Sequence, residues 1–121
     1  MGVSEPLIQA SLLGEAVEHG PAAVFVADEN GYYVAVNRAA CTLVGYTREE
    51  LLSMHISDIG GDGSAGRWDE MLESGHASGM ARLNHKNGSE IEFEYVAGAT
   101  VVAGMPVYVS VGMPVGTASS S

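Results

Sequence analysis

The six residues Glu90–Tyr95, EIEFEY, alternate acidic and apolar side chains without a break. A strand turns successive side chains to opposite faces, so Ile91, Phe93 and Tyr95 share one side and Glu90, Glu92 and Glu94 the other. Unpaired carboxylates do not leave water, so one face of this strand is solvated and the other meets a core. The pattern predicts a sheet covered on one face only, the habit of antiparallel rather than parallel sheets.

The turn chemistry fits that sheet. Asn87-Gly88 separates EIEFEY from a strand-like run at Met80–Asn84, and Asn30-Gly31 separates AVFVA (Ala23–Ala27) from YYVAV (Tyr32–Val36). Asn-Gly between apolar runs predicts a hairpin, because both residues tolerate positive φ. After a glycine-containing turn, Val101–Val111 is the last strand, and Pro106 within it implies an edge position, a bulge or a split.

Helical signals fill the rest. Ser4 is placed to cap a helix opening with Glu5 and Pro6, in which Ile8, Leu12, Leu13, Ala16 and Val17 recur at helical spacing until Gly20-Pro21. Asn37 ends a strand and is placed to cap the run RAACTLVG, which Gly45 stops. Thr47 and Glu50 form a capping box that opens a helix carrying Leu51, Leu52 and Met54. His55–Ser64 reads as a loop with one helical turn at Ile56–Ile59, and Ala65–Ser74 as a helix through Trp68, Met71 and Leu72.

The expected fold is α+β: a five-stranded antiparallel sheet with short helices on one face and an N-terminal helix. The divisions are the N-terminal helix over 1–20, offering a dimer contact, a core domain over 21–114, and a disordered tail over 115–121.

Composition removes several classes of function. The formal net charge is −10, which repels phosphate backbones and anionic lipid, so neither nucleic acid nor a membrane is an expected partner. A single cysteine forms no internal disulfide, no C-x-x-C pair exists for zinc, and no apolar run approaches the roughly 20 residues that span a bilayer. The start, MGVSEPL, lacks the basic opening of a signal peptide, which makes the cytoplasm the expected location. No H-E-x-x-H, G-x-S-x-G or phosphate-cradling loop is present, so no catalytic or metal site is expected.

Two stretches, DENGYYVAVNRAACTLVGYTREELL (Asp28–Leu52) and NHKNGSEIEFEY (Asn84–Tyr95), resemble the pattern of PAS (Per-Arnt-Sim) domains: an acidic-Gly turn, a strand, Asn, a short helix, Gly-Tyr, a Thr-x-Glu-Glu-Leu helix and a later basic-polar-Gly hairpin. The resemblance spans about residues 12 to 113. It implies a sensory or regulatory signalling module, often cytoplasmic and dimeric, joined to a signalling partner or to a further domain in cis. Ligands in the family range from haem and flavin to small metabolites and fatty acids, and some members bind none. Asn37 matches the family's Asn after the second strand, and Trp68 lies in the helix that lines many of its pockets. Val111–Val115 departs from the Asp-Ile-Thr that often ends the last strand.

Against that family background, the chemical candidates weaken. The flavin-adduct cysteine would fall in MHISDIG (Met54–Gly60), which has none, and the haem-ligating His-Asp pair corresponds to Trp68-Asp69, whose indole only donates. Cys41, among Ala39, Ala40, Leu43 and Val44, is expected to pack as a small hydrophobe with a raised thiol pKa. His55 and Asp58, three apart beside a loop, are expected to cap a helix rather than act as an acid–base couple.

What remains is a cavity between sheet and helices, with Phe25, Leu52, Ile56, Trp68, Met71, Leu72, Phe93 and Val109 as its expected lining. The expected ligand is a small apolar molecule held without a covalent bond, and the expected assembly a homodimer. The alternatives are a haem- or flavin-bearing gas, redox or light sensor, and a ligand-free interaction domain.

Overall fold

A computed structural model describes residues 5–115, the side chains of 62 and 64 excepted. Ser4 as a cap and the polar tail from Gly116 onward lie outside the described residues. The elements are α1 (Pro6–His19), β1 (Ala23–Ala27), β2 (Tyr33–Val36), α2 (Arg38–Val44), α3 (Arg48–Leu51), α4 (Ile56–Gly60), a 3-10 turn (Gly61–Gly63), α5 (Ser64–Ser74), β3 (His76–Asn84), β4 (Glu90–Val102) and β5 (Met105–Pro114). The five strands form one antiparallel sheet, as the sequence pattern predicts, and their order is β2-β1-β5-β4-β3.

Register decides which side chains meet the core. Opposed residues of an antiparallel pair point the same way, so Phe25 and Ser110, Ala97 and Ser110, Tyr95 and Gly112, and Ala81 and Phe93 share one face. On that face lies a cluster that includes Phe25, Tyr33, Ala81, Leu83, Phe93 and Tyr95, closed by Val44, Leu51 and Ile59 from the helices.

Asn37 joins the layers. It is 4% exposed, and every hydrogen-bonding position of its side-chain amide is used. Its Oδ1 accepts from the N–H of Ala40 (3.0 Å), capping α2, and from the N–H of Val24 (2.9 Å) in β1. Its Nδ2 donates to the carbonyl of Ala22 (2.9 Å) and to that of Val17 (2.6 Å) near the end of α1. The capping box of Thr47 and Glu50 forms as expected.

Several boundaries differ from the sequence expectation. The N-cap of α1 is Glu5, with Pro6 as first helical residue and no side-chain cap. Most of the expected His55–Ser64 loop is helical, because His55 and Asp58 form a second capping box. His55 Nδ1 accepts from the Ser57 N–H, and Asp58 accepts from the His55 N–H. β3 starts at His76 rather than Met80. β4 continues through Gly98, which stays in the ladder opposite Val109, so the last strand begins at Met105 and not at Val101. The turn is instead the two-residue Ala103-Gly104, with φ of 52° and 80°. Pro106 pairs with Val101 of β4 beyond Tyr108, where β1 stops, so it occupies a stretch with one neighbour and costs no ladder bond on the other side.

The β3–β4 hairpin docks back on the helices. The Lys86 N–H donates to the Val44 carbonyl, its ammonium lies 2.8 Å from Glu50, and it sits over the Tyr46 ring. Gly45 permits this approach: its φ is 83°, and a Cβ there would collide with the His85 ring.

Asn37→Ala leaves the N–H groups of Val24 and Ala40 and the Ala22 carbonyl without their partner. The expected loss is on the order of 2–4 kcal/mol in urea denaturation. Ala103→Asn relieves a left-handed alanine, and the same measurement is expected to show a gain of about 0.5–1 kcal/mol.

Candidate functional site

The covered face of the sheet and the inner sides of α4 and α5 line a partly open cavity of about 120 Å³. Five of the eight side chains expected from sequence line it: Phe25, Ile56, Trp68, Met71 and Phe93. The other three do not. Val109 pairs with Val26 and Gly98 on the opposite face of β5, so Ser110 is its inward neighbour. The run VYVSV is apolar at the positions facing away from the cavity, and a shift of one residue exchanges the faces. Leu52 is 41% exposed while Leu51 is fully buried. Leu72 is 48% exposed because the inward stripe of α5 centres on Met71, with Arg67 and Trp68 to either side.

The wall contains polar groups that the apolar pattern did not single out. Tyr33, Arg67, Tyr95 and Ser110 all contribute. Tyr95 was legible as inward-facing from the alternation of β4. Arg67 carries only the signal that it stands one helical turn before Met71. Phe25 and Tyr33 pack with ring centroids 5.6 Å apart, Phe25 and Phe93 meet edge-to-face at 6.0 Å, and Trp68 lies edge-on to Tyr108 at 4.9 Å. These contacts fix the apolar walls.

Burial pushes the Tyr33 phenol far above the ordinary tyrosine range; the nearby Asp58 carboxylate adds to this and the Arg67 guanidinium opposes it. The Tyr95 phenol is raised in the same way by burial, with Arg67 opposing and Glu70 adding. Both hydroxyls are therefore neutral donors near one cation. Burial likewise raises the Cys41 thiol, which sits half-buried against the core and away from the cavity. His55 is also absent from the lining. Its Nε2 lies 2.9 Å from the Asn30 carbonyl oxygen, which only accepts, so the proton is on Nε2 and the ring is committed to local structure.

The haem and flavin that the sequence resemblance implies as ligands fit this site poorly. The lining holds neither His nor Cys, and its volume falls short of the roughly 300–1,000 Å³ of ligand pockets that house drug-sized molecules. A volume near 120 Å³ suits a benzene-sized group. Among the described residues no cluster of three or more His, Cys, Asp or Glu is arranged for a metal, and no helix is long and apolar enough to cross a membrane.

A one-sided antiparallel sheet closing an apolar cavity under short helices defines a small α+β domain. The sequence model of the PAS domain family matches residues 21–111, and the chain belongs to that family. Solved structures agree. A PAS domain from a two-component sensor histidine kinase superposes with a TM-score of 0.80 at 20% identity, covering 91% of this chain and 99% of that one. The PAS domain of an HTR-like protein from Haloarcula marismortui gives 0.78 at 19%, covering 88% and 92%. An RNA-binding light-oxygen-voltage receptor gives 0.78 at 17%, covering 94% of this chain and 35% of that one. At these identities the likeness is one of fold. No curated protein sequence matches the chain.

A buried neutral phenol has a folded-state pKa above its unfolded value, so the stability it carries is complete below the unfolded-state pKa and is lost as pH rises beyond it. In an alkaline titration followed by phenolate absorbance, Tyr33 is expected to ionise only with unfolding. Tyr33→Phe should remove that late component and leave the earlier ones in place.

Proposed function

We propose that the chain is a cytoplasmic regulatory domain that binds a small apolar molecule without a covalent bond and transmits its presence through homodimer contacts. The observation that carries this reading is the cavity between sheet and helices, walled by Phe25, Ile56, Trp68, Met71 and Phe93. An occupant that prefers one packing of α4 and α5 on the sheet shifts the population toward that packing, by as much as its affinities for the two differ. The domain binds rather than catalyses: His55 and Asp58, the pair suited to proton transfer, are used as helix caps. Its signalling partner is a protein or a domain in cis, and its acidic surface disfavours nucleic acid and anionic membranes.

Toluene or indole is the direct probe. Either is expected to raise the melting temperature and to shift amide resonances at Phe25, Met71 and Phe93. Ala77→Leu, which places bulk in the cavity wall, should abolish both effects, while Met71→Ala should admit larger rings. An unresponsive cavity in both the wild type and Met71→Ala would reduce it to a packing gap in a ligand-free core.

The dimer reading rests on α1, which buries none of its residues and leaves Leu7, Leu12, Leu13 and Val17 exposed. So much exposed apolar surface on one helix suits a second copy. Deleting residues 1 to 19 is expected to halve the sedimenting mass; an unchanged mass would remove α1 from the interface.

A further inference from the structure

Arg67 is out of place in an apolar wall. Of the chain's five basic residues, Arg48, Arg82 and Lys86 each stand beside surface carboxylates. Arg67 has no such partner among the described residues; its one hydrogen bond runs from Nη2 to the Gly60 carbonyl at 3.0 Å. A guanidinium carries five N–H donors, so among the described residues most of them have no partner.

Tyr33 is the second anomaly. It is 8% exposed, and among the described residues its hydroxyl has no hydrogen-bond partner. Buried polar groups are nearly always satisfied, so an orphan donor on a cavity wall asks for an acceptor inside that cavity. The hydroxyls of Tyr33 and Tyr95 both feel the charge of Arg67, and Ser110 contributes a further hydroxyl to the same wall. All four groups can donate, and Arg67 can do nothing else. The acceptors that work against them, Asp58 near Tyr33 and Glu70 near Tyr95, are not part of the lining.

The position of Arg67 also matters. Together with Gly60 and Ala81 it borders both the internal cavity and the outer groove between the 60–63 segment and β3. A charged ligand group held there stays near water while an apolar body fills the interior, which limits the desolvation cost. The guanidinium fork matches a carboxylate, with which it makes two parallel hydrogen bonds.

We infer that the natural ligand is a small organic monocarboxylate of about benzoate size, with its apolar body among Phe25, Met71 and Phe93 and its carboxylate on Arg67 and the Tyr33 hydroxyl. This rests on the cavity-binding reading above and sharpens it from any apolar molecule to an acid with a single charged end. Arg67 lies at the mouth as the specificity-determining residue, and the ligand enters apolar end first.

Benzoate and toluene, matched in shape and differing in charge, test it by calorimetry and amide shift mapping on the whole chain. The expected result is that benzoate binds more tightly than toluene. Arg67→Met should weaken benzoate roughly 10- to 100-fold, as expected for loss of a hydrogen bond to a charged group, and change toluene far less. Arg67→Lys should restore part of the loss, and Tyr33→Phe should weaken benzoate more than toluene. Toluene binding as well as benzoate, with Arg67→Met indifferent, would overturn the acid and leave the apolar cavity standing. Neither compound binding would overturn both readings. Benzoate binding that survives Ala77→Leu would place it in the outer groove and overturn the internal site. Amide dispersion of each variant reports whether it is folded, and Arg67→Lys supplies the comparison if Arg67→Met is not.

Discussion

Four hydrogen bonds to one buried amide hold the parts of this domain in register. The carboxamide of Asn37 is the one side chain of its size that offers two acceptor positions and two donors at a single point. Here it satisfies a helix N-cap, the first part of β1, the residue leading into β1 and the end of α1 together. Aspartate would present the acceptors without the donors, and serine is too short to reach both sides. Because β1 lies between β2 and β5, a fault at Asn37 disturbs the centre of the sheet as well as the helix above it. The Arg48–Glu18 ion pair, at 2.6 Å but well exposed, adds a second and weaker tie to α1.

How much of this was legible followed from how local each signal was. Caps and hairpins depend on a few neighbouring residues, and Asn37, Thr47-Glu50 and the alternation of Glu90–Tyr95 led to the right elements and the right sheet. Strand faces were legible where polarity alternated and not where it did not: β5 carries valines outward and Tyr108, Ser110 and Gly112 inward, which reverses the usual signal and misplaced Val109. The same one-step ambiguity separates Leu51 from Leu52 and Met71 from Leu72, since adjacent helical residues differ by about 100° in direction. The strand through Gly98 was missed because glycine reads as a turn unless its neighbours on both sides are known to be paired. Arg67 was missed for the opposite reason. A hydrophobic pattern cannot show a charge that faces inward.

That inward charge follows from the architecture. The sheet is covered on one face by short helices, and the helical layer meets β3 beside Gly60, Gly61 and Gly63, which bring no side chain to the seam. A polar side chain projecting from α5 reaches the interior there without becoming dry. Small residues on the opposing strands, Ala77, Ala81 and Ala97, leave the space it borders. Filling that space with larger side chains would give a tighter core and no cavity, so the alanines and the arginine belong to one local design.

The central pairing of β1 with β5 has a mechanical consequence. Ala23, where the chain enters the sheet, lies opposite Gly112, close to where it leaves. Because the two strands run antiparallel, tension applied between the flanking segments opens their ladder one rung at a time from that end instead of sliding all rungs at once. Such a joint yields to a small force, and the first resistance it offers on the β1 side is the Asn37 clamp on Val17 and Ala22. The domain is thus soft to a pull along its own connections.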